Sequence, residues 1–308
     1  MKQKYDKTTK FILDLPIKKI YTQFTIWRNI MNFLFSADLH GNLKQYEKLF
    51  DYAKEGNIPY IVLGGDLSPK SPELRNPQAQ ADFFKNYLFH KTSAFKGKTL
   101  LILGNDDYRK NLDLLINMQD QANFKVINTP CDIEGYTFIG YSYVPFTPFM
   151  WKDWERRDLA SDTLKDLRPD VRTVGKIDFE IPHDIVPTYT QHSIEQDVNN
   201  LLATENPDKT ILITHAPPYN TVCDLMKDKQ GQLRHIGSLG IRKVISERQP
   251  LLTLHGHIHD SVENSKSYVE HLNRTACATV GNDHLSESIY VLNIMLESNV
   301  KIERLMLK

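Results

Sequence analysis

Met31-Asn32-Phe33-Leu34-Phe35-Ser36-Ala37-Asp38-Leu39-His40-Gly41-Asn42 is an apolar, β-favouring run that stops abruptly at Asp-x-His-Gly-Asn. It reads as a buried strand. In an open α/β sheet, ligands gather beyond the carboxyl ends of strands. Asp38 and His40, two apart where the chain leaves the strand, can turn toward one point. A carboxylate oxygen and an imidazole nitrogen at that spacing suit a divalent transition metal. The pair alone is a weak signal, and its weight depends on what the rest of the chain brings to the same point.

Working outward, the same arrangement recurs. Leu43, Tyr46, Leu49, Phe50 and Ala53 have helical spacing over 43–55, and Gly56-Asn57 stops the helix. Tyr60-Ile61-Val62-Leu63 is a second buried strand, ending in Gly64-Gly65-Asp66. The Pro-rich stretch 68–77 reads as a surface loop and 79–95 as a helix. Thr99-Leu100-Leu101-Ile102-Leu103 is a third strand, ending in Gly104-Asn105-Asp106-Asp107. Three strand–helix units in succession predict a parallel βαβαβ sheet with polar groups along one edge. Asp and Asn also favour helix caps and turns, the plain alternative for each taken singly.

Thr137-Phe138-Ile139-Gly140-Tyr141 reads as a fourth strand, after which the pattern dissolves. Residues 145–189 are expected to be an insertion over the site. Either it is a packed excursion with Tyr143, Phe146, Phe149, Trp151 and Trp154 as core, or it is a lid. In the lid reading those aromatics, with Lys152, Arg156 and Arg157, hold a substrate; long irregular segments inside domains are often functional. A helix over 193–204 follows. Thr210-Ile211-Leu212-Ile213-Thr214 is a strand ending at His215, and Gly237-Ser238 caps a helix over 239–248. Strand 250–254 ends in His255-Gly256-His257-Ile258-His259-Asp260. Strands at 276–280, 289–296 and 300–306 close the chain, the last two joined by Glu297-Ser298-Asn299 as an antiparallel hairpin. The expectation is one mixed α/β domain over 31–308.

Residues 1–30 are Lys-rich without an apolar h-region, which speaks against a secretory signal. They read as an extension, packed on the domain through Phe11, Ile12, Leu13 and Ile20, or weakly ordered with Met31 as the natural start; the second is favoured. Lys plus Arg equals Asp plus Glu at 38 each, so net charge gives no argument for bulk nucleic-acid or anionic-membrane binding. Apolar runs are too short to span a bilayer. Cys131, Cys223 and Cys277 are odd in number and widely spaced, forming neither a zinc pattern nor a disulfide framework. A reducing cytoplasm is the expected location.

Asp38, His40, Asp66, Asn105, His215, His257 and His259 thus all sit just beyond strand ends. A lone strand-end histidine is more often structural than a ligand; four of them with two aspartates are hard to explain that way. Asp38-x-His40, Gly65-Asp66, Gly104-Asn105-Asp106-Asp107, His215 and Gly256-His257-x-His259, in this order, resemble the calcineurin-like metallophosphoesterase superfamily. The match spans about 32–260, and Arg234-His235-Ile236-Gly237-Ser238 resembles a segment of one smaller branch.

The resemblance implies a four-layer αββα sandwich of two mixed β-sheets flanked by helices. It implies one metal on Asp38, His40, Asp66 and His259, and another on Asp66, Asn105, His215 and His257. Manganese is favoured, with iron and zinc as alternatives. Two cations about 3.5–4 Å apart hold a bridging hydroxide that attacks a phosphoryl group. The implied function is a phosphatase or phosphodiesterase acting on a phosphorylated small molecule or a nucleotide; the alternative is a non-catalytic scaffold on the same fold. Many family members carry His after the Asn of the Gly-Asn motif, thought to assist the leaving group. Asp106 stands there instead. Bound cations should keep it ionised and unable to donate a proton. His235 is the candidate donor, against a plain loop histidine. His255 and Asp260 read as supporting or turn residues, and Gly281-Asn282-Asp283-His284 as a loop near the site at most.

Overall fold

The computed structural model describes residues 30–166, 174–186 and 190–308. All of the N-terminal extension but Ile30 lies outside the described residues. In chain order the first half runs β1 (Met31–Ser36), α1 (Leu43–Glu55), β2 (Tyr60–Gly64), α2 (Pro77–Phe83), α3 (Phe89–Ala94), β3 (Lys98–Ile102), α4 (Leu112–Met118), β4 (Phe124–Val126), β5 (Cys131–Ile133) and β6 (Tyr136–Tyr141). A hairpin of β7 (Val174–Ile177) and β8 (Ile181–Asp184) follows, then α5 (Ile194–Leu201) and β9 (Thr210–Thr214). The rest comprises β10 (Leu225–Lys227), β11 (Leu233–His235), α6 (Leu239–Arg248), β12 (Leu252–His255), α7 (Ser261–Ser265), β13 (Val269–Leu272), β14 (Thr275–Thr279), β15 (Ile289–Leu296) and β16 (Val300–Leu307).

Two six-stranded sheets result, in the orders β16-β15-β1-β2-β3-β4 and β13-β14-β12-β9-β6-β5. The runs β1 to β4 and β6-β9-β12-β14 are parallel, while β15, β16, β13 and β5 pair antiparallel at the flanks. Period-two side-chain alternation sets the layers. Phe33 and Phe35 of β1 face the second sheet, where they join Phe138, Ile211, Ile213 and Leu254 in a core between the sheets. Leu34 points the other way, into a core under α1 with Tyr46, Leu49 and Phe50. A third core lies outside the second sheet, where Val198 of α5 and Ile241 and Val244 of α6 cover Ile139 and Leu212. This is the four-layer sandwich, helices outside and two mixed sheets within.

The expected helix over 79–95 is α2 and α3 joined by a π-helical turn over Phe84–Leu88. The loop over 68–77 is a surface loop only in part, since Ser68 is fully buried. Strands β4, β5, β7, β8, β10, β11 and β13, of three or four residues each, carry no apolar run long enough to read from sequence. Among the described residues no helix is long and apolar enough to cross a membrane.

His255 ends β12 and is fully buried. Thr214 Oγ1 donates to the Ala216 carbonyl at 2.6 Å, so it accepts from His255 Nδ1 at 2.8 Å, and Nε2 lies 2.9 Å from Thr253 Oγ1. Burial pulls the His255 pKa down to about 3, so the ring is neutral at pH 7. A depressed histidine stabilises the fold above its unfolded pKa near 6.5, and that contribution is lost as pH falls toward 3. Between pH 6.5 and 5.5 the loss should be about 1.4 kcal/mol or less. Urea unfolding of wild type and His255→Gln at the two pH values tests this; wild type should show the steeper decline, and equal slopes would refute the assignment.

Candidate metal centre

The sharp turns after β1 and β2 are joined by backbone hydrogen bonds. Asp38 N donates to Gly65 O at 3.0 Å, His40 N to Asp66 O at 2.9 Å and Gly41 N to Leu67 O at 2.9 Å. This ladder holds Asp38, His40 and Asp66 at φ of 61°, 44° and 52°, and His257 after β12 lies at 70°. Left-handed backbone at non-glycine residues costs about 1–3 kcal/mol each and clusters at functional sites. Here all four are strand-end residues singled out by their donor atoms.

These residues converge. His40 Nε2 lies 3.2 Å from His259 Nε2 and 3.6 Å from Asp66 Oδ2. His259 Nε2 is 3.9 Å from Asp38 Oδ1. Asp38, His40, Asp66 and His259 each offer a donor atom within 4.8 Å of the others. On the far side of Asp66, Oδ1 is 3.4 Å from His215 Nε2, which is 3.0 Å from Asn105 Oδ1. The ring of His257 packs against that of His215 with centroids 5.2 Å apart. The two oxygens of Asp66 therefore face different donor groups.

The surroundings orient these donors. His215 Nδ1 donates to Gly64 O at 2.9 Å, which fixes the ring so that Nε2 faces Asp66. His257 N donates to both oxygens of Asp38, at 2.9 and 3.1 Å, and Asp106 N donates to Asp66 Oδ1 at 2.8 Å. A Cβ at Gly104 would stand 2.2 Å from Asp66 Oδ1 and 2.6 Å from His215 Cε1, so only glycine lets that strand end approach.

Burial raises Asp38 above the usual carboxylate range. Burial would raise Asp66 too, but His215 and His40 hold it well below that range. His215 is pushed up to about 9: burial opposes its charge, and the Asp66 and Asp38 carboxylates outweigh burial. Burial takes His257 down to about 3 and His40 well below its ordinary value. Two buried carboxylates thus draw a proton onto His215, while burial disfavours the charged form of His40. His40 Nδ1 is buried with no hydrogen-bond partner among the described residues. Nitrogen and carboxylate donors without a thiolate fit divalent cations at an open site.

A cavity of about 440 Å³ opens beside the cluster, lined by Asp66, Asn105, His257 and His259. Lys70, Arg75 and Asp106 face it from one side, Phe149, Met226, Ile236 and Ile258 from another. Sequence reading missed Lys70 and Arg75, since charges in a Pro-rich loop look solvated. Arg75 Nη2 donates to Asp106 Oδ1, and its guanidinium lies 5.3 Å from the Trp151 ring centroid. Lys70 Nζ is 3.8 Å from Asp106 Oδ2 and 3.2 Å from His40 Nε2. Burial, then the Asp66 carboxylate, raises Asp106, against the pull of Arg75 and Lys70. The protein alone therefore shifts this group opposite to the direction expected from bound cations.

Two of the cations that a lid reading requires, Lys152 and Arg156, are held elsewhere. Lys152 is buried in an ion pair with Glu155 at 2.9 Å, and Arg156 pairs with Asp197 over the Tyr143 ring. Both are engaged in packing, while Phe149 of the same segment reaches the cavity. His235 Nδ1 is 2.7 Å from Asp224 Oδ1, and its neighbour Ile236, not His235, lines the cavity. Asp260 accepts from Asn264 Nδ2 at 2.7 Å and also lines the cavity. His284 packs its ring 4.6 Å from that of His40, nearer than its place in the sequence suggested.

A family model for calcineurin-like phosphoesterase matches residues 31–261. An uncharacterized protein of Methanocaldococcus jannaschii is 35% identical over 90 residues, 28% of this chain and 37% of that protein. A 5'-nucleotidase of Vibrio parahaemolyticus is 26% identical over 166 residues, 54% of this chain and 27% of that protein. The chain thus spans well under half the length of either. TT1561 of Thermus thermophilus superposes with a TM-score of 0.57 at 16% identity, over 91% of this chain and 100% of that one. Purple acid phosphatase PPD1 of yellow lupin superposes at 0.50 with 12% identity, over 89% and 51%. With the family pattern covering β1 through β12, the chain belongs to the calcineurin-like phosphoesterases.

Proposed function

We propose that this chain is a two-metal phosphoesterase. One metal would be held by Asp38, His40, Asp66 and His259, the other by Asp66, Asn105, His215 and His257. The observation that carries the reading is Asp66, whose Oδ2 faces His40 at 3.6 Å and whose Oδ1 faces His215 at 3.4 Å. A carboxylate so placed is a natural bridge. When bound, divalent cations supply an activated water at neutral pH and neutralise charge on the phosphoryl oxygens. Manganese, iron and zinc all suit the donors.

The chain's own residues supply the rest. Lys70 and Arg75 bring positive charge to the cavity wall and receive phosphate oxygens, the guanidinium in a fork. Asp106 and Trp151 position Arg75. Asp106 is a positioning residue in this reading, not an acid, and Arg75 is better placed than His235 to stabilise charge on a leaving oxygen. Phe149, Met226, Ile236 and Ile258 form an apolar wall for the organic part of an ester. Similarity to a 5'-nucleotidase over half of the chain supports nucleotides among the esters to assay. Three free thiols support a reducing, cytoplasmic setting.

A screen of mono-, di- and cyclic phosphoesters with added manganese, iron or zinc tests the function. Activity should vanish on chelation and return with metal. Asp66→Asn and His257→Ala should each lower kcat by roughly a thousandfold, the scale of losing one essential electrostatic element. Metal held by wild type without turnover on any ester would favour the scaffold alternative.

Loss of a charge-assisted hydrogen bond to phosphate costs about 1.5–3 kcal/mol. Arg75→Ala and Lys70→Ala should therefore reduce kcat/KM by roughly 10–100-fold, while Arg156→Ala leaves KM unchanged. The opposite ranking would show that the 145–189 segment binds the phosphate. In a leaving-group series, wild type should depend steeply on leaving-group pKa and Asp106→His less so. A flat wild-type response would mean that a proton donor is present after all.

A further inference from the structure

We propose that His284 is a further ligand of the metal centre, a third imidazole beside His40 and His259. This rests on the reading of Asp38, His40, Asp66 and His259 as a metal site. His40, His259 and His284 each offer a ring nitrogen within 4.8 Å of the other two. The His284 ring stands edge-on to His40 at 4.6 Å and to His259 at 5.3 Å between centroids. Its Nδ1 is buried and has no hydrogen-bond partner among the described residues. An unpartnered buried nitrogen is costly unless something else satisfies it.

The loop that carries His284 is pinned in place by the first turn of α1. Asn42 Nδ2 donates to the carbonyls of His284 and Ser286, both at 2.9 Å. Gln45, fully buried, donates to the carbonyls of Asp283, Ser286 and Ser288 at 2.8–3.0 Å. Asn282 Nδ2 donates to Ser36 Oγ and Ala37 O at 2.9 Å, binding the same loop to the end of β1. The strand end that presents Asp38 and His40 therefore also fixes the loop that presents His284. Such anchoring is what a ligand needs if the metal is not to pay for ordering it.

A third imidazole changes what the site prefers. Nitrogen donors suit zinc, iron or nickel, whereas manganese favours oxygen. The site on the His40 side should thus retain zinc or iron more strongly than manganese.

The test is metal retention in the full-length chain, measured by elemental analysis after dialysis against graded chelator. Wild type, His284→Ala, His284→Gln and Leu285→Ala are compared, the last altering the exposed neighbour. Both His284 variants should release one metal per chain at a chelator concentration at least about tenfold lower than wild type. Leu285→Ala should match wild type. The cobalt(II)-loaded His284 variants should also show one fewer paramagnetically shifted imidazole N–H resonance. Unchanged retention and an unchanged resonance count would overturn the proposal, as would an equal loss in Leu285→Ala. None of these readouts uses turnover. A chain that holds two metals yet is idle on every ester would overturn the phosphoesterase reading and leave His284 as a ligand.

Discussion

Three backbone hydrogen bonds between the turns after β1 and β2 hold this site together. They place Asp38, His40 and Asp66 in left-handed backbone that each would otherwise avoid, at a cost of about 1–3 kcal/mol apiece. The parallel β1–β2 register below them and the core between the sheets supply the offsetting energy. Without the ladder, Asp38 and His40 would follow ordinary strand geometry, with no constraint to meet Asp66. The ladder makes two strand ends act as one rigid donor platform, and Gly104 lets β3 close on it.

Adjacent carboxylates divide the labour at the β3 end. Asp107 turns inward, accepting from the backbone of Leu67, Ser68 and Gly104 at 2.9–3.1 Å, so it ties the β2 loop to the β3 loop. Burial and Asp66 push it up to about 6 even so. Its own carbonyl accepts from Trp154 Nε1 at 2.7 Å, which seats the 145–189 segment on the same turn. Asp106 turns outward and holds Arg75. One dipeptide thus anchors the scaffold and the cavity's cation.

The parts of this design legible in the sequence were those written in long apolar runs. β1, β2, β3, β9 and β12 are each followed within a few residues by a polar side chain, and that coincidence, repeated, picked out seven residues that the structure brings close together. Which face of β1 meets a second sheet could not be read from that run. The short strands were hidden, because three residues carry no period. Lys70 and Arg75 escaped since a charged Pro-rich loop looks solvated, whereas Ser68 beneath it is buried and turns the loop toward the cavity. Lys152 and Arg156 misled for the converse reason: a cation beside aromatics looks available until Glu155 or Asp197 is seen to hold it. His284 was set aside because of its place in the order of motifs. Linear order says nothing of a loop that Asn42 and Gln45 carry back across the domain.

The clamp between Gln45 and the carbonyl of Asp283 spans 238 residues, and β15, the antiparallel neighbour of β1, comes later still. At about 5–20 residues per second, a ribosome needs roughly 10–50 s to make the intervening chain. Throughout that interval β1 has only β2 beside it, and its other edge is open. Domain closure is consequently a late, long-range event of the kind that folds slowly. A nascent chain stalled before β15 would present Asp38, His40 and Asp66 on an unfinished sheet with an exposed edge, a form suited to chaperone capture. The order of manufacture thus puts closure of the sheet after the last strand has left the ribosome.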